Sequence, residues 1–365
     1  MVSGSESRLR WRLVDEEPPG GQGALFNGDK LVERHIGTGE FRGMEFLHVN
    51  AQSIINEVPA SSRMPFRYTI NVYRGCSHAC SYCFARPTHE YLGLDIGVDF
   101  ERRIVVKINA VERLRAELAG RRWAGHAIAM GTNTDPYQRC EGKYHLTRGV
   151  IGLLTEAANP FSILTKSTLI LRDLDLLVAA ATQADVRVNF SIGSLDPKVW
   201  RLTEPGTPHP ARRVDALRRL NQAGVPCGVL MAPILPGLSD HDNQLQDVVQ
   251  ACVGAGAVSI TPLALHLRPG VKEHFLGQLA KDHPALAAAY QRKYRGAYLP
   301  AADQAALSEK VRTMIDQAGS RFRHPSAHLQ PARTRPERHR ATPAGADPET
   351  GPSLSQLALD LSGGS

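Results

Sequence analysis

Six short apolar runs recur along the middle of the chain, each followed by a turn signal and usually by an amphipathic stretch. The runs are "RYTINVY" (67–73), "HAIAMGT" (126–132), "FSILTKS" (161–167), "RVNFSIGS" (187–194), "PCGVLMAPIL" (226–235) and "VSITPLAL" (258–265). Between them lie helical-period stretches such as "VVKINAVERLRAELAG", "LTRGVIGLLTEAAN", "LRDLDLLVAAATQA", "PARRVDALRRLNQAG" and "DNQLQDVVQACVGAG". These stretches end at Asn159, Gly224 and Gly256, residue types suited to helix C-termini. Six strand-then-helix units predict an α/β fold with a parallel sheet and crossovers of one hand. Six units instead of eight predict an open barrel or a doubly wound sheet, and in both architectures ligands sit beyond the carboxyl ends of the strands.

Residues 1–60 show weak periodicity and are expected to be a partly flexible lead-in, structured around "FRGMEFLHVNAQSIINEVP". The six units occupy 61–270, and 271–325 reads as a helical extension ("KEHFLGQLAKDHPALAAAYQRKY", "ADQAALSEKVRTMIDQAG"). From 326 to 365 the chain is rich in Pro, Arg, Thr and Gly, and disorder is expected.

Composition narrows the class only modestly. The 365 residues are 42% apolar and 22% charged, an ordinary globular profile. No apolar run approaches the roughly 18 residues of a membrane span, and the polar N-terminus does not read as a secretory signal, so a cytoplasmic location is expected. The formal charge of +7 favours anionic partners, nucleic acid included, although Arg spread evenly over a surface gives the same balance.

The cysteines change the picture. Cys76, Cys80 and Cys83 fall within "NVYRGCSHACSYCFARPTHEY", just after the first predicted strand, while Cys140, Cys227 and Cys252 are scattered. Three thiolates on one loop suit zinc or an iron–sulfur cluster. A structural zinc site wants four ligands, and a fourth from His78, Cys140, Cys227 or Cys252 has no paired spacing. Three ligands on a four-iron cluster instead leave one iron open.

The pattern C-x3-C-x-Tyr-C, with Tyr82 before the last cysteine and the whole motif after strand one, resembles the radical S-adenosylmethionine superfamily. The resemblance implies a partial (β/α)6 TIM-type barrel in which Cys76, Cys80 and Cys83 hold a 4Fe–4S cluster. It implies S-adenosyl-L-methionine bound at the open iron, reductive cleavage to a 5′-deoxyadenosyl radical, and a flavodoxin- or ferredoxin-type reductant. The cofactor carries the hard chemistry, and the protein orients it and excludes water.

Other strand ends carry polar residues suited to that pocket. "GTNTDPYQ" offers Thr132, Asn133, Thr134 and Asp135, or is simply a turn stiffened by Pro136. Lys166 suits a carboxylate or ribose oxygen, Ser191 and Ser194 suit ribose, and Ala232 to Gly237 offer backbone to flank adenine. With "LTKSTLILRDLDLL" and "SLDPKVWRLTEPGTPHPARRVDALRRLNQAGVP", these stretches resemble the spore photoproduct lyase-like branch, often labelled "DNA repair photolyase", over about residues 60–300. The cluster region looks like an uncharacterised, actinobacterial-type subfamily of that branch. By this resemblance Tyr82, Asp135, Lys166 and Ser191 are the expected cofactor contacts.

Two positions depart from the branch. Its lyases return a hydrogen atom to product with a cysteine at the start of the second-strand turn and a tyrosine after the third cluster cysteine, where this chain has Gly131 and Phe84. Neither has a labile S–H or O–H, so the lyase reaction itself is in question; Cys140, nine residues past Gly131, is the nearby thiol.

Three features bear on substrate. His89, Glu90 and Tyr91 follow the cluster motif as a pocket wall or a helix start. The run 321–340 carries six Arg against one Glu, a phosphate grip or a solvated linker. Gln356 to Leu361, "QLALDL", is similar to the peptide by which bacterial repair and replication proteins dock on the sliding clamp. The expected function is thus a radical enzyme acting on DNA. The alternatives are a radical enzyme on a small molecule or peptide, and a non-catalytic iron–sulfur protein associated with DNA.

Overall fold

The computed structural model describes residues 24–25, 29–62 and 64–319. The basic run 321–340, the 356–361 peptide and the tail from 326 lie outside the described residues.

The strands are β1 (Ala24–Leu25), β2 (Asp29–Ile36), β3 (Glu45–Asn50), β4 (Ile55–Glu57), β5 (Tyr68–Ile70), β6 (Tyr73–Arg74), β7 (Arg103–Lys107), β8 (Ile128–Met130), β9 (Phe161–Thr165), β10 (Val186–Ser191), β11 (Cys227–Ile234) and β12 (Ile260–Ala264). Seven form one sheet in the order β12-β11-β10-β9-β8-β5-β4. Its six strands from β5 to β12 are parallel and stand in chain order, with β4 antiparallel at the edge. This is the partial barrel expected from the six apolar runs, and its order is open, with β12 and β4 at opposite edges. Alternating burial along β9 shows the two-residue period of a strand packed hard on one face. The crossover helices Leu146–Glu156, Leu174–Gln183, Pro210–Gln222 and Asp242–Gly254 bury their apolar stripes in the main core.

Two local departures position the site. "RYTINVY" is two strands in two sheets: β5 pairs with β8, whereas β6 pairs antiparallel with β7. Residues 103–107, which overlap the start of the helical-period stretch at Val105, form β7. The five-stranded sheet β1-β2-β3-β7-β6 that results lies in a region whose sequence shows little period. The extension folds as Val271–Asp282, Pro284–Lys293 and Ala301–Gln317. Phe275, Leu279, Tyr290 and Leu267 pack in one apolar cluster with Cys80 and Tyr82, so the extension covers the cysteine loop. No described helix is long and apolar enough to cross a membrane.

Candidate cluster and cofactor site

The cysteine loop leaves β6 through Gly75 at φ +81, where a Cβ would lie 2.9 Å from both the His89 ring and the Phe100 carbonyl oxygen. Only glycine turns the chain that tightly here. Three braces then fix the loop. Gln138 takes the Ser77 amide on Oε1 (3.0 Å) and donates Nε2 to the Gly75 carbonyl (3.0 Å). Arg86, fully buried, donates to the carbonyls of Cys80 (3.0 Å), Ile96 (2.9 Å) and Gly97 (3.1 Å) and pairs with Glu101. From the other side the Ser81 amide donates to the Thr203 carbonyl (2.9 Å) and the Gly206 amide to the His78 carbonyl (3.1 Å). A Cβ on Gly206 would come within 2.3 Å of the Ser77 carbonyl oxygen, so loop and segment 203–207 touch backbone to backbone.

All six cysteines are free. Burial raises the pKa of the Cys76, Cys80 and Cys83 thiols, and the neighbouring Asp135 carboxylate and each other's charge raise Cys76 further. Three such thiols ionise together only when a strongly positive group compensates them. A lone tetrahedral zinc with bonds of about 2.3 Å would draw its sulfur ligands to within about 4 Å of one another. Among the described residues, the three cysteines are not a group whose donor atoms all lie within 4.8 Å. The all-thiol donor set fits an iron–sulfur cluster. The other candidate ligands are elsewhere: Cys140, Cys227 and Cys252 are buried in the main core, and His78 Nδ1 faces Asp135 Oδ2 at 3.3 Å.

The Asp135 side chain is only 8% exposed, with both oxygens occupied. Oδ1 accepts from the Tyr137 amide (2.9 Å) and the Thr165 hydroxyl (2.7 Å), and Oδ2 from the Lys166 amide (2.7 Å). Burial works against its charge, but His78 and these donors prevail and lower its pKa. It thereby ties the β8 turn to the end of β9 and to the cysteine loop.

Lys166 leaves the end of β9 and donates its ammonium to the Ser191 hydroxyl at the end of β10; Ser191 in turn donates to the Ala232 carbonyl on β11 (2.7 Å). The ammonium lies 3.6 Å from Glu204 Oε1 and 5.8 Å from the Tyr82 ring centroid. Glu204 also accepts from the Tyr82 hydroxyl and pairs with Arg213, whose Nη1 donates to the Ser191 carbonyl (3.0 Å). Burial opposes the Glu204 charge, yet Arg213, Lys166 and Tyr82 together pull its pKa down to about 2. Tyr82, Gly193, Ser194, Trp200, Glu204 and Pro233 line a narrow depression open to solvent.

Tyr82, Lys166 and Ser191 thus meet at one place beside the cysteine loop, with Asp135 behind Lys166. Glu204, Arg213, Gln138 and Arg86 escape sequence reasoning. An acidic residue in a Pro-rich turn and arginines on helical stretches look like solvated charge until burial is known.

The comparisons agree with this geometry. The family model described as the Radical SAM superfamily matches residues 70–248, from the end of β5 into the helix after β11. An uncharacterised protein of Mycobacterium tuberculosis (strain ATCC 25618 / H37Rv) is 45% identical over 283 residues, 77% of this chain and 83% of that protein. This chain belongs to the radical S-adenosylmethionine superfamily. Its cofactors are a 4Fe–4S cluster and S-adenosyl-L-methionine. A second uncharacterised relative, from Methanocaldococcus jannaschii, is 30% identical over 200 residues, 54% of this chain and 70% of the relative. Among solved structures, spore photoproduct lyase complexed with dinucleoside spore photoproduct shares the fold at TM-score 0.55 and 20% identity, over 74% of this chain and 79% of that one. A variant of that lyase with bound AdoMet and the dinucleoside matches at TM-score 0.52 and 20% identity, over 72% and 78%.

Gly131 and Phe84 stand apart from this constellation. Gly131 has φ +88, and a Cβ there would meet the Leu164 carbonyl oxygen at 2.0 Å. The backbone at this turn leaves no room for the side chain of a hydrogen donor. Phe84 is partly exposed next to Cys83. Cys140 is fully buried, and burial raises its thiol pKa well above the usual range.

Proposed function

We propose that this chain is a radical S-adenosylmethionine enzyme acting on DNA, by a reaction that returns no hydrogen from positions 131 or 84. The observation that carries the first part is the convergence of Lys166, Ser191, Tyr82 and Glu204 beside three cysteines at the carboxyl ends of the strands. When bound, the cluster and S-adenosylmethionine supply an oxidising carbon radical that abstracts hydrogen from substrate.

The chain's own residues do the rest. Lys166 offers its ammonium to the carboxylate of the methionine moiety, and Ser191 offers its hydroxyl to ribose. Tyr82 presents its ring beside the cluster, held by Glu204. Asp135 acts on Lys166 and His78 as a positioning group. The extension, packed on Cys80 and Tyr82, excludes water from the loop.

A nucleic-acid substrate is supported by the fold shared with a lyase that holds a dinucleoside, by the chain's +7 charge and by the basic, clamp-like tail sequence. The crowding at Gly131 turns the reading away from the lyase reaction. The test is the rate of 5′-deoxyadenosine formation by reconstituted protein with and without ultraviolet-irradiated duplex DNA, together with the salt dependence of DNA binding. A rate that rises with damaged DNA, and an affinity that falls steeply with salt, are expected. A rate indifferent to DNA, with no salt-dependent binding, contradicts the DNA substrate and points to a small molecule or peptide.

A further inference from the structure

The hairpin β2–β3 carries a second set of donors that the site above does not use. Glu33 stands directly across from His48 in the antiparallel register, next to an irregularity between Leu31 and Glu33 of the kind that re-aims side chains. His35 lies two residues along β2 and so shares the face of Glu33. One donor atom from each of the three lies within 4.8 Å of the others. His35 Nε2 is 2.9 Å from Glu33 Oε2, and the two imidazole centroids are 4.2 Å apart at 44°. His48 Nε2 is 2.8 Å from the Tyr144 hydroxyl, which holds the ring and leaves Nδ1 as the nitrogen available to a ligand.

Two imidazoles and a carboxylate make a borderline donor set, suited to first-row divalent ions and above all to zinc. The far nitrogen of a ligating histidine is normally held by a carboxylate, carbonyl or water, and at His48 the Tyr144 hydroxyl takes that place. We propose that Glu33, His35 and His48 bind a divalent zinc-like cation that fastens β2 to β3, with water completing the coordination. The sheet so fastened is the one whose last strand, β6, launches the cysteine loop. The Lys143 ammonium, 5.5 Å from the Tyr144 ring centroid, is the nearby opposing charge.

The test uses full-length protein with its cluster loaded, so that the three cysteines are occupied. Zinc is added, excess is removed by gel filtration, and bound zinc and iron are measured by elemental analysis. One zinc per chain is expected, with a thermal midpoint that rises on zinc addition. Replacing a ligand, as in His35→Ala, His48→Ala or Glu33→Gln, should weaken zinc by tenfold or more, and Tyr144→Phe by about tenfold. In the Cys76→Ala, Cys80→Ala, Cys83→Ala triple variant zinc should remain. Cobalt, added in place of zinc to the wild type, should give d–d bands without a thiolate charge-transfer band. That readout keeps the idea testable if a histidine variant folds poorly. Zinc uptake unchanged when His35→Ala and His48→Ala are combined, lost in the triple cysteine variant, or absent from the wild type overturns the proposal.

Discussion

The Tyr82 hydroxyl donates to Glu204 across 122 residues of chain, joining the aromatic residue of the cysteine motif to the turn before helix Pro210–Gln222. Glu204 also compensates Arg213, whose side chain is 1% exposed. Removing one partner of a buried ion pair leaves the other charge unpaired, at a cost of about 3–5 kcal/mol. Glu204→Gln should therefore lower stability by about that amount in urea unfolding. Tyr82→Phe, which removes one hydrogen bond, should cost about 1 kcal/mol and leave cluster content intact. A Glu204→Gln variant as stable as the wild type would show that Glu204 does not compensate Arg213.

Stability should fall with acid in two windows. Burial lowers the His89 pKa to about 4 from 6.5, so between those values the unfolded chain takes a proton that the folded chain refuses. Stability is therefore full above pH 6.5 and declines as pH falls through that range. Half-buried His274, lowered to about 4 by burial and then by Arg86, adds to the same window. The Glu204 pKa is lowered to about 2 from 4.5, so its contribution is full above 4.5 and is lost as pH drops towards 2. Unfolding free energies measured across pH 3–8 check this, and a His89→Gln variant should shrink the upper window to the His274 contribution while leaving the lower one unchanged.

Gly131→Cys puts a thiol at the position where the branch's lyases carry one, yet it should not confer lyase activity. The positive φ and the 2.0 Å approach of a Cβ to the Leu164 carbonyl make the substitution strained. A loss of about 2 kcal/mol or more is expected from thermal or urea unfolding. A stable Gly131→Cys protein that cleaves spore photoproduct would contradict this reading of the turn.

The six parallel strands and most crossover helices were legible because a buried strand needs a short apolar run and a crossover helix needs an amphipathic one. The five-stranded sheet was not. β6 is two residues long and β7 runs into the helical-period stretch that begins at Val105, so neither stands out as a strand of its own. That Cys76, Cys80 and Cys83 share one loop was legible in their residue type and close spacing. The placement of Lys166 and Ser191 at strand ends was legible because a polar residue ending an apolar strand is conspicuous; their contact with each other was not. Glu204 and Arg213 were hidden because their meaning rests on each other's burial, a long-range property that neither local sequence displays.

The central claim is that Cys76, Cys80 and Cys83 hold a cluster that reductively cleaves S-adenosylmethionine. The most direct measurement is 5′-deoxyadenosine formed with dithionite by anaerobically reconstituted wild-type protein and by the Cys76→Ala, Cys80→Ala and Cys83→Ala variants, alongside iron content and the roughly 400 nm absorbance of an iron–sulfur cluster. Product from the wild type, with product and absorbance lost in all three variants, is the predicted result. No product from an iron-loaded wild type, or a full cluster retained in any single variant, would contradict it.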